Sequence, residues 1–419
     1  MNTNSRKAPR ASSNSKVMTF FRIKPSVSLQ ALQRASIIAT LALLAACASP
    51  YLPGPATAPA SPGSASPGSA DGAPAAASRR AGAAGALPLL RGKSRWVPVQ
   101  WAELPGFEDD ALHEAWNAWL RSCERPGPTF APLCGEVRRL SIASAQEQRS
   151  WMVTRLQPYR VESLQGSADG LLTSYYEPVL KASRQASGGY EVPLYRAPAA
   201  LGSRKPWFSR QEIDTLPEAR AALQGREIAW VADPVEAMSL HIQGSGRLSI
   251  TEADGSQRVV RVAYAASNEQ PFRSVLQWLQ DQGEGRMVAP WVESTKAWAA
   301  KNPQRVRQML WSNPRYTFFQ EQPLSDFDAA SGPKGAQGVA LTAGRSIAVD
   351  PASIPYGTPV WLASRGGAAT LQKLVLAQDT GSAIVGGVRA DYFAGTGQQA
   401  GELAARVNQP LRLWVLWPK

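Results

Sequence analysis

Apolar positions along this chain recur with two different periods. In DDALHEAWNAWL, residues 109–120, Leu112, Ala115, Trp116, Trp119 and Leu120 fall on one face of a helix. Asp109 or Asp110 stands where a side chain caps the first turn. His113 lies off that stripe, at an exposed or structural position. AQEQRSWMVTRL, from 145, predicts a second short helix.

From about residue 170 the period shortens. GLLTSYYEPVLKA, GYEVPLYRAP and EAMSLHIQGSGRLSIT read as strands. RLSITEADGSQRVVRVAY predicts a hairpin with Asp254-Gly255 at its turn, setting Leu248 and Ile250 against Val260, Val262 and Tyr264. Two helices follow, PFRSVLQWLQDQ and VESTKAWAAKNPQRVRQMLW, the second broken by Pro303. GVALTA, SIAVDP, TPVWLA, KLVLAQD and LRLWVLW then return to short strands, with one helix, QQAGELAARV, among them. Short strands with Gly/Pro turns at this spacing suggest a barrel. The fold class is mostly β with peripheral helices.

The N-terminal pattern is different. A basic stretch ending at Arg34 precedes the apolar run ASIIATLALLAAC, too short to span a bilayer and of signal-peptide length. It closes on Leu44-Ala45-Ala46-Cys47, which resembles a bacterial lipobox with Cys47 as the lipidated residue. Ala48 after it implies sorting to the outer membrane. Residues 48–86 are mostly Ala, Pro, Ser and Gly and cannot bury enough surface to fold. As a flexible tether they span roughly 35 Å.

Charge changes little once this segment is set aside. The formal charge of the 419-residue chain is +13, and residues 1–46 hold seven basic residues and no acid, which leaves +6 for the rest. That excess, without basic runs interleaved with aromatics, argues against nucleic-acid binding. Cys123 and Cys134 flank ERPGPTFAPL. A disulfide closing that loop and two buried thiols are both open readings. Just two histidines, His113 and His241, are present, neither at ligand spacing from another His or Cys, so no metal is expected.

Three aspartates sit in turn-like settings near the C-terminus. Asp350 precedes Pro and reads as a turn cap. Asp379 ends the apolar strand LVLA, at a barrel rim. Asp391 adjoins Tyr392 and Phe393, whose rings can desolvate a carboxyl and raise its pKa. Each acid taken alone reads as a cap. TSYYEP (173–178) and HIQGSG (241–246) pair aromatics with hydroxyls and amides, as sugar binding requires. Strand alternation sends at least one of Tyr175 and Tyr176 into the core. Ser245 lacks the G-x-S-x-G context and a His–acid pair, which argues against a serine hydrolase.

Together, LAAC, TSYYEPVLKASR, VPLYRAP, SLHIQGSGRL, VAYAASNEQPFRSVL, NPRYTFF, LTAGRSIAVDPASIPYGTPVWL, AQDTGSAIVGGVRADYFAGTG and LRLWVLW resemble the membrane-bound lytic murein transglycosylase A family, with its C-terminal 3D module. Glu269 departs from the expected Asn-Gly in ASNEQPF and should alter a turn. The resemblance implies a double-psi β-barrel domain and a second, smaller inserted β-barrel domain, with a glycan groove at their junction. The implied segments are a signal peptide (1–46), an anchored linker (47–92), an N-terminal part of the catalytic domain (93–180), the insert (181–320) and the 3D module (321–419). It implies Asp391 as catalytic acid and base, with Asp379 supporting it. Thr173, Tyr176, Glu177, Gln243, Ser245 and Asp350 are implied as substrate-binding.

The implied activity is that of a peptidoglycan lytic exotransglycosylase. It cleaves between N-acetylmuramic acid and N-acetylglucosamine, forms a 1,6-anhydromuramoyl end and needs no cofactor. Expected partners are glycan strands, the membrane through the lipid anchor, and proteins of a wall-synthesis complex. The expected location is the periplasmic face of the outer membrane. The alternatives are a peptidoglycan-binding lipoprotein without activity and a muramidase-type hydrolase.

Overall fold

A computed structural model of the chain describes residues 87–285 and 290–419. The expected signal peptide, Cys47 and the expected linker up to residue 86 lie outside the described residues. The strands are β1 (Leu89–Arg91), β2 (Ser94–Pro98), β3 (Leu156–Ser163), β4 (Gly170–Glu177), β5 (Val179–Ser183), β6 (Val192–Tyr195), β7 (Glu227–Val231) and β8 (Ser245–Thr251). They continue as β9 (Gln257–Ser267), β10 (Thr317–Pro323), β11 (Ser346–Val349), β12 (Pro359–Arg365), β13 (Thr370–Asp379), β14 (Arg389–Thr396) and β15 (Asn408–Pro418). β1 falls inside the stretch expected to be linker.

Nine strands form one sheet in the order β1-β2-β3-β15-β12-β13-β11-β14-β4, and β4 also pairs with β15. That last pairing closes β15, β12, β13, β11, β14 and β4 into a six-stranded barrel. Closure leaves those strands no free edge. Alternate residues fill the barrel: Leu172, Ile347, Val349, Val360, Leu362, Val375, Ala390, Tyr392, Leu413 and Val415. Outside it, Trp361, Leu374, Leu376 and Trp414 pack under Leu112, Trp116 and Trp119 of the helix Leu112–Ser122. Cys123 and Cys134 are joined by a disulfide beside that helix.

The chain leaves the barrel at Pro178, between β4 and β5. β5 to β10 form a second, six-stranded sheet in the order β10-β9-β8-β5-β7-β6. Its edge strands approach each other, with Tyr195 of β6 6.4 Å from Tyr316 beside β10. The sheet therefore curls into an incompletely closed barrel around Leu194, Ile228, Leu240, Leu248, Ile250, Val260, Val262 and Phe319.

Several local expectations change. EAMSLHIQ is not strand but the C-terminal part of the helix Pro234–Gln243, capped by Asp233 at the start and by left-handed Gly244 at the end. The alternation of Met238, Leu240 and Ile242 imitates a strand, and the Asp-Pro and Gly punctuation decides for helix. GVALTA carries a single bridge, Lys334 with Ala340, rather than a strand. Asp110 does not cap its helix: its carboxylate accepts from Arg345 (2.8 Å) and from the backbone N–H of Leu374 (2.9 Å). The β8–β9 hairpin forms with Leu248 opposite Val260, while Tyr264 turns outward at a bulge against β10.

Candidate active site

Strand register builds the site. Asp391 of β14 lies opposite Thr173 of β4 and opposite Ala348 of β11. Ala348 in turn faces Asp379 of β13 across a register shift that skips Gln378. The skipped Gln378 is fully buried and bonds Ser122, Ala118 and Ser346. Beyond Thr173 the row reaches Asn408 of β15. One row across five strands thus reads Asp379, Ala348, Asp391, Thr173, Asn408. Ala390 and Tyr392 point into the barrel, so Asp391 stands on the outer face, partly exposed.

Two strand spacings put the backbones of Asp379 and Asp391 about 10 Å apart. Ala348 between them is buried and presents a single methyl.

The two acids are held differently. Asp391 Oδ1 accepts from Thr173 Oγ1 at 2.5 Å. Burial pushes its pKa up to about 6, opposed by the Thr173 hydrogen bond and the Arg389 charge and aided by Asp379. Asp379 accepts from the Tyr175 hydroxyl (2.8 Å) and the backbone N–H of Ala336 (2.9 Å). Burial raises Asp379 too, against those donors and the Thr380 N–H. Tyr175 packs on Phe393, with ring centroids 5.3 Å apart, and closes the row on one side.

A cleft of about 510 Å³ opens at Thr173. It runs past Tyr176 and Gln243 to Trp291 and Glu293 of the second unit and to Gln398, Gly401 and Asn408 of the barrel side. Gln243 Oε1 accepts from the Tyr176 N–H at 3.0 Å. Gly401 lies flat on the Tyr176 ring, where an added Cβ would come within 2.9 Å.

A family model described as the MltA specific insert domain matches residues 171–320, and one described as the 3D domain matches 345–417. The lytic transglycosylase LtgG of Burkholderia pseudomallei is 42% identical, covering 80% of this chain and 98% of its own, with a TM-score of 0.54. MltA from Neisseria gonorrhoeae is 26% identical over 79% of this chain and 93% of its own, with a TM-score of 0.63. Membrane-bound lytic murein transglycosylase A of Escherichia coli (strain K12) is 30% identical over 62% of this chain and 68% of its own length. The chain belongs to the membrane-bound lytic murein transglycosylase A family.

The barrel is accordingly the double-psi barrel of that family. Of the residues that the family resemblance implied, Thr173, Tyr176 and Gln243 line the cleft, and Asp391 bonds to its rim. Ser245 opens β8 just past Gly244 and is not among the lining residues. Glu177 is fully buried and faces no cleft: Arg261 (2.6 Å), Arg247 (2.8 Å) and Thr396 (2.7 Å) all donate to it. Asp350 is a buried turn cap, as its Asp-Pro context reads, and not a groove residue. It accepts from Ala352 N–H (3.1 Å), Lys93 Nζ (3.1 Å) and Gly386 N–H (2.9 Å). Burial works against its charge, but these donors hold its pKa below the usual value. Asp350 thereby ties the Gly-rich loop before β14 to the end of β11.

Sequence reasoning missed Arg389. Its Nη2 donates to Thr173 Oγ1 at 2.8 Å, and its Nη1 to the carbonyls of Ala390 (2.5 Å) and Leu171 (3.4 Å). The signal lay in period two: Arg389 is two residues from Asp391 and so shares its face.

Proposed function

We propose that this chain cleaves the β-1,4 bond between N-acetylmuramic acid and N-acetylglucosamine of peptidoglycan without water, with Asp391 as the acid and then the base. The observation that carries the reading is the Thr173–Asp391 pair: a carboxyl raised to about 6, on an outer barrel face, hydrogen-bonded to a threonine that lines the cleft. A carboxyl of that pKa is populated in both forms near neutral pH, as a group that gives and retakes a proton must be.

Neutral Asp391 gives its proton to the glycosidic oxygen as the C1–O bond breaks. Positive charge develops at C1 of the muramic sugar. The C6 hydroxyl of the same sugar attacks C1 and returns its proton to the Asp391 carboxylate. The C1–O6 bond replaces the C1–O4 bond, so no water enters the balance. The nucleophile is tethered, which gives it a high effective concentration. Asp379, occupied by donors at both oxygens, sits two strands away and supports the developing cation electrostatically.

A lipid on Cys47 and sorting to the outer membrane complete the proposal. Among the described residues no helix is long and apolar enough to cross a membrane. The test is mass spectrometry of muropeptides released by the soluble fragment starting after residue 47. Anhydro ends are expected. Products one water heavier assign a hydrolase, and intact murein assigns a binding protein.

A further inference from the structure

Resting on Asp391 as the acid, we infer that Arg389 is a positioning residue that fixes which oxygen of Asp391 carries the transferable proton. Arginine has five N–H donors and no acceptor. Arg389 Nη2 is 2.8 Å from Thr173 Oγ1, so it occupies that oxygen as a donor. The Thr173 hydroxyl has one hydrogen, and its other close partner is Asp391 Oδ1 at 2.5 Å. That hydrogen therefore points at Oδ1. Oδ1 is an acceptor whether Asp391 is charged or neutral. In the neutral acid the proton sits on Oδ2.

Without Arg389 the threonine can rotate. A hydroxyl accepts as well as donates, so a proton on Oδ1 could then be tied up by Thr173. The proton would then be held in an internal hydrogen bond instead of facing the substrate. Arg389 cannot wander, because the Ala390 and Leu171 carbonyls fix its other arm.

Other groups around Asp391 do not perform this task. On β13 Asp379 takes its own donors from Tyr175 and Ala336. β11 presents Ala348, which has no polar side chain, and β15 presents the neutral Asn408. The charged or titratable groups acting on Asp391 are thus Asp379, Tyr175 and Arg389.

The experiment compares Arg389→Lys with Arg389→Gln in the soluble fragment, each in the Thr173 and the Thr173→Val background. Lysine keeps a donor-only group, whereas glutamine brings an acceptor that lets the hydroxyl turn. The expected result is kcat within about threefold of wild type for Arg389→Lys and about tenfold lower for Arg389→Gln, with KM unchanged. Losing the charge in Arg389→Gln also moves the alkaline limb of the pH profile upward. In the Thr173→Val background Arg389→Gln should cost no further kcat at the pH optimum, because the hydroxyl that Arg389 orients is gone, while the shift of the alkaline limb remains.

Equal kcat losses in both backgrounds, or a glutamine variant with wild-type kcat, overturn the inference. Should Arg389→Gln not fold, Thr173→Ser against Thr173→Val decides: a serine that fails to restore kcat overturns it as well. Asp391→Asn is run alongside. If that variant is active, the reading of Asp391 as the acid fails; if it is inactive while the Arg389 predictions fail, only the positioning role falls.

Discussion

Two rungs of the same pair of strands invite comparison. On one, Thr173 of β4 donates to Asp391 of β14; on the other, Thr396 of β14 donates to Glu177 of β4. Each is a threonine hydroxyl on a carboxyl across a parallel ladder. They differ in where the arginines go. Arg247 and Arg261 contact the Glu177 carboxylate itself, with Nε to oxygen distances of 2.8 and 2.6 Å. Arg389 stops one bond short and contacts the threonine. A buried acid that meets guanidinium groups directly becomes a joint of the structure. An acid kept at one remove from its cation retains a pKa near the working range, and with it a proton to exchange.

Breaking the first rung should have the largest effect. Asp391→Asn is expected to lower anhydro-muropeptide formation by about 10³–10⁴-fold with binding of glycan retained, as release assays and a binding isotherm can check. Wild-type turnover in that variant would falsify the assignment. Breaking the second rung acts on the fold. Glu177→Gln leaves Arg247 and Arg261 without their anion in a dry site, and about 3–5 kcal/mol of stability should be lost in denaturant unfolding.

The same Asp391→Asn change should stabilise the chain. The folded Asp391 titrates at about 6, above the unfolded value of about 3.9. Stability from this group is therefore greatest at low pH and is lost as pH rises through that window. The variant should gain about 1–3 kcal/mol at pH 7.5, the lower end reflecting partial exposure, and nothing below about pH 4. A gain that does not vanish on acidification would contradict the assigned titration. Asp379→Asn should reduce turnover by about 10–100-fold, less than Asp391→Asn. If Asp379→Asn were dead and Asp391→Asn active, the two roles would be reversed. Thr396→Val should cost about 1–2 kcal/mol with catalysis in the folded protein unchanged, whereas Thr173→Val should lower kcat and leave stability less affected.

Legibility in the sequence follows the same division. RADYF and TSYYEP point to Asp391 and Thr173 only through the family resemblance, since each acid read alone is a turn cap, and the strand register then sets the two side by side. Arg389 was recoverable from parity alone, once β14 was known to be a strand. Glu177 was misplaced because its two arginines lie 70 and 84 residues away, and nothing in YYEP announces them. The barrel could be guessed from short strands, but its closure rests on β15 meeting β4, a pairing that no local pattern encodes. The helix at 234–243 reads as strand in the sequence because its apolar residues alternate, while its capping residues at both ends specify a helix.

β15 is the final strand, and it pairs with β3, β12 and β4 at once. The acid and its threonine are 218 positions apart in sequence, with the entire second sheet emerging between them. The two become neighbours through the pairing of β14 with β4, and β15 holds the other edge of β4.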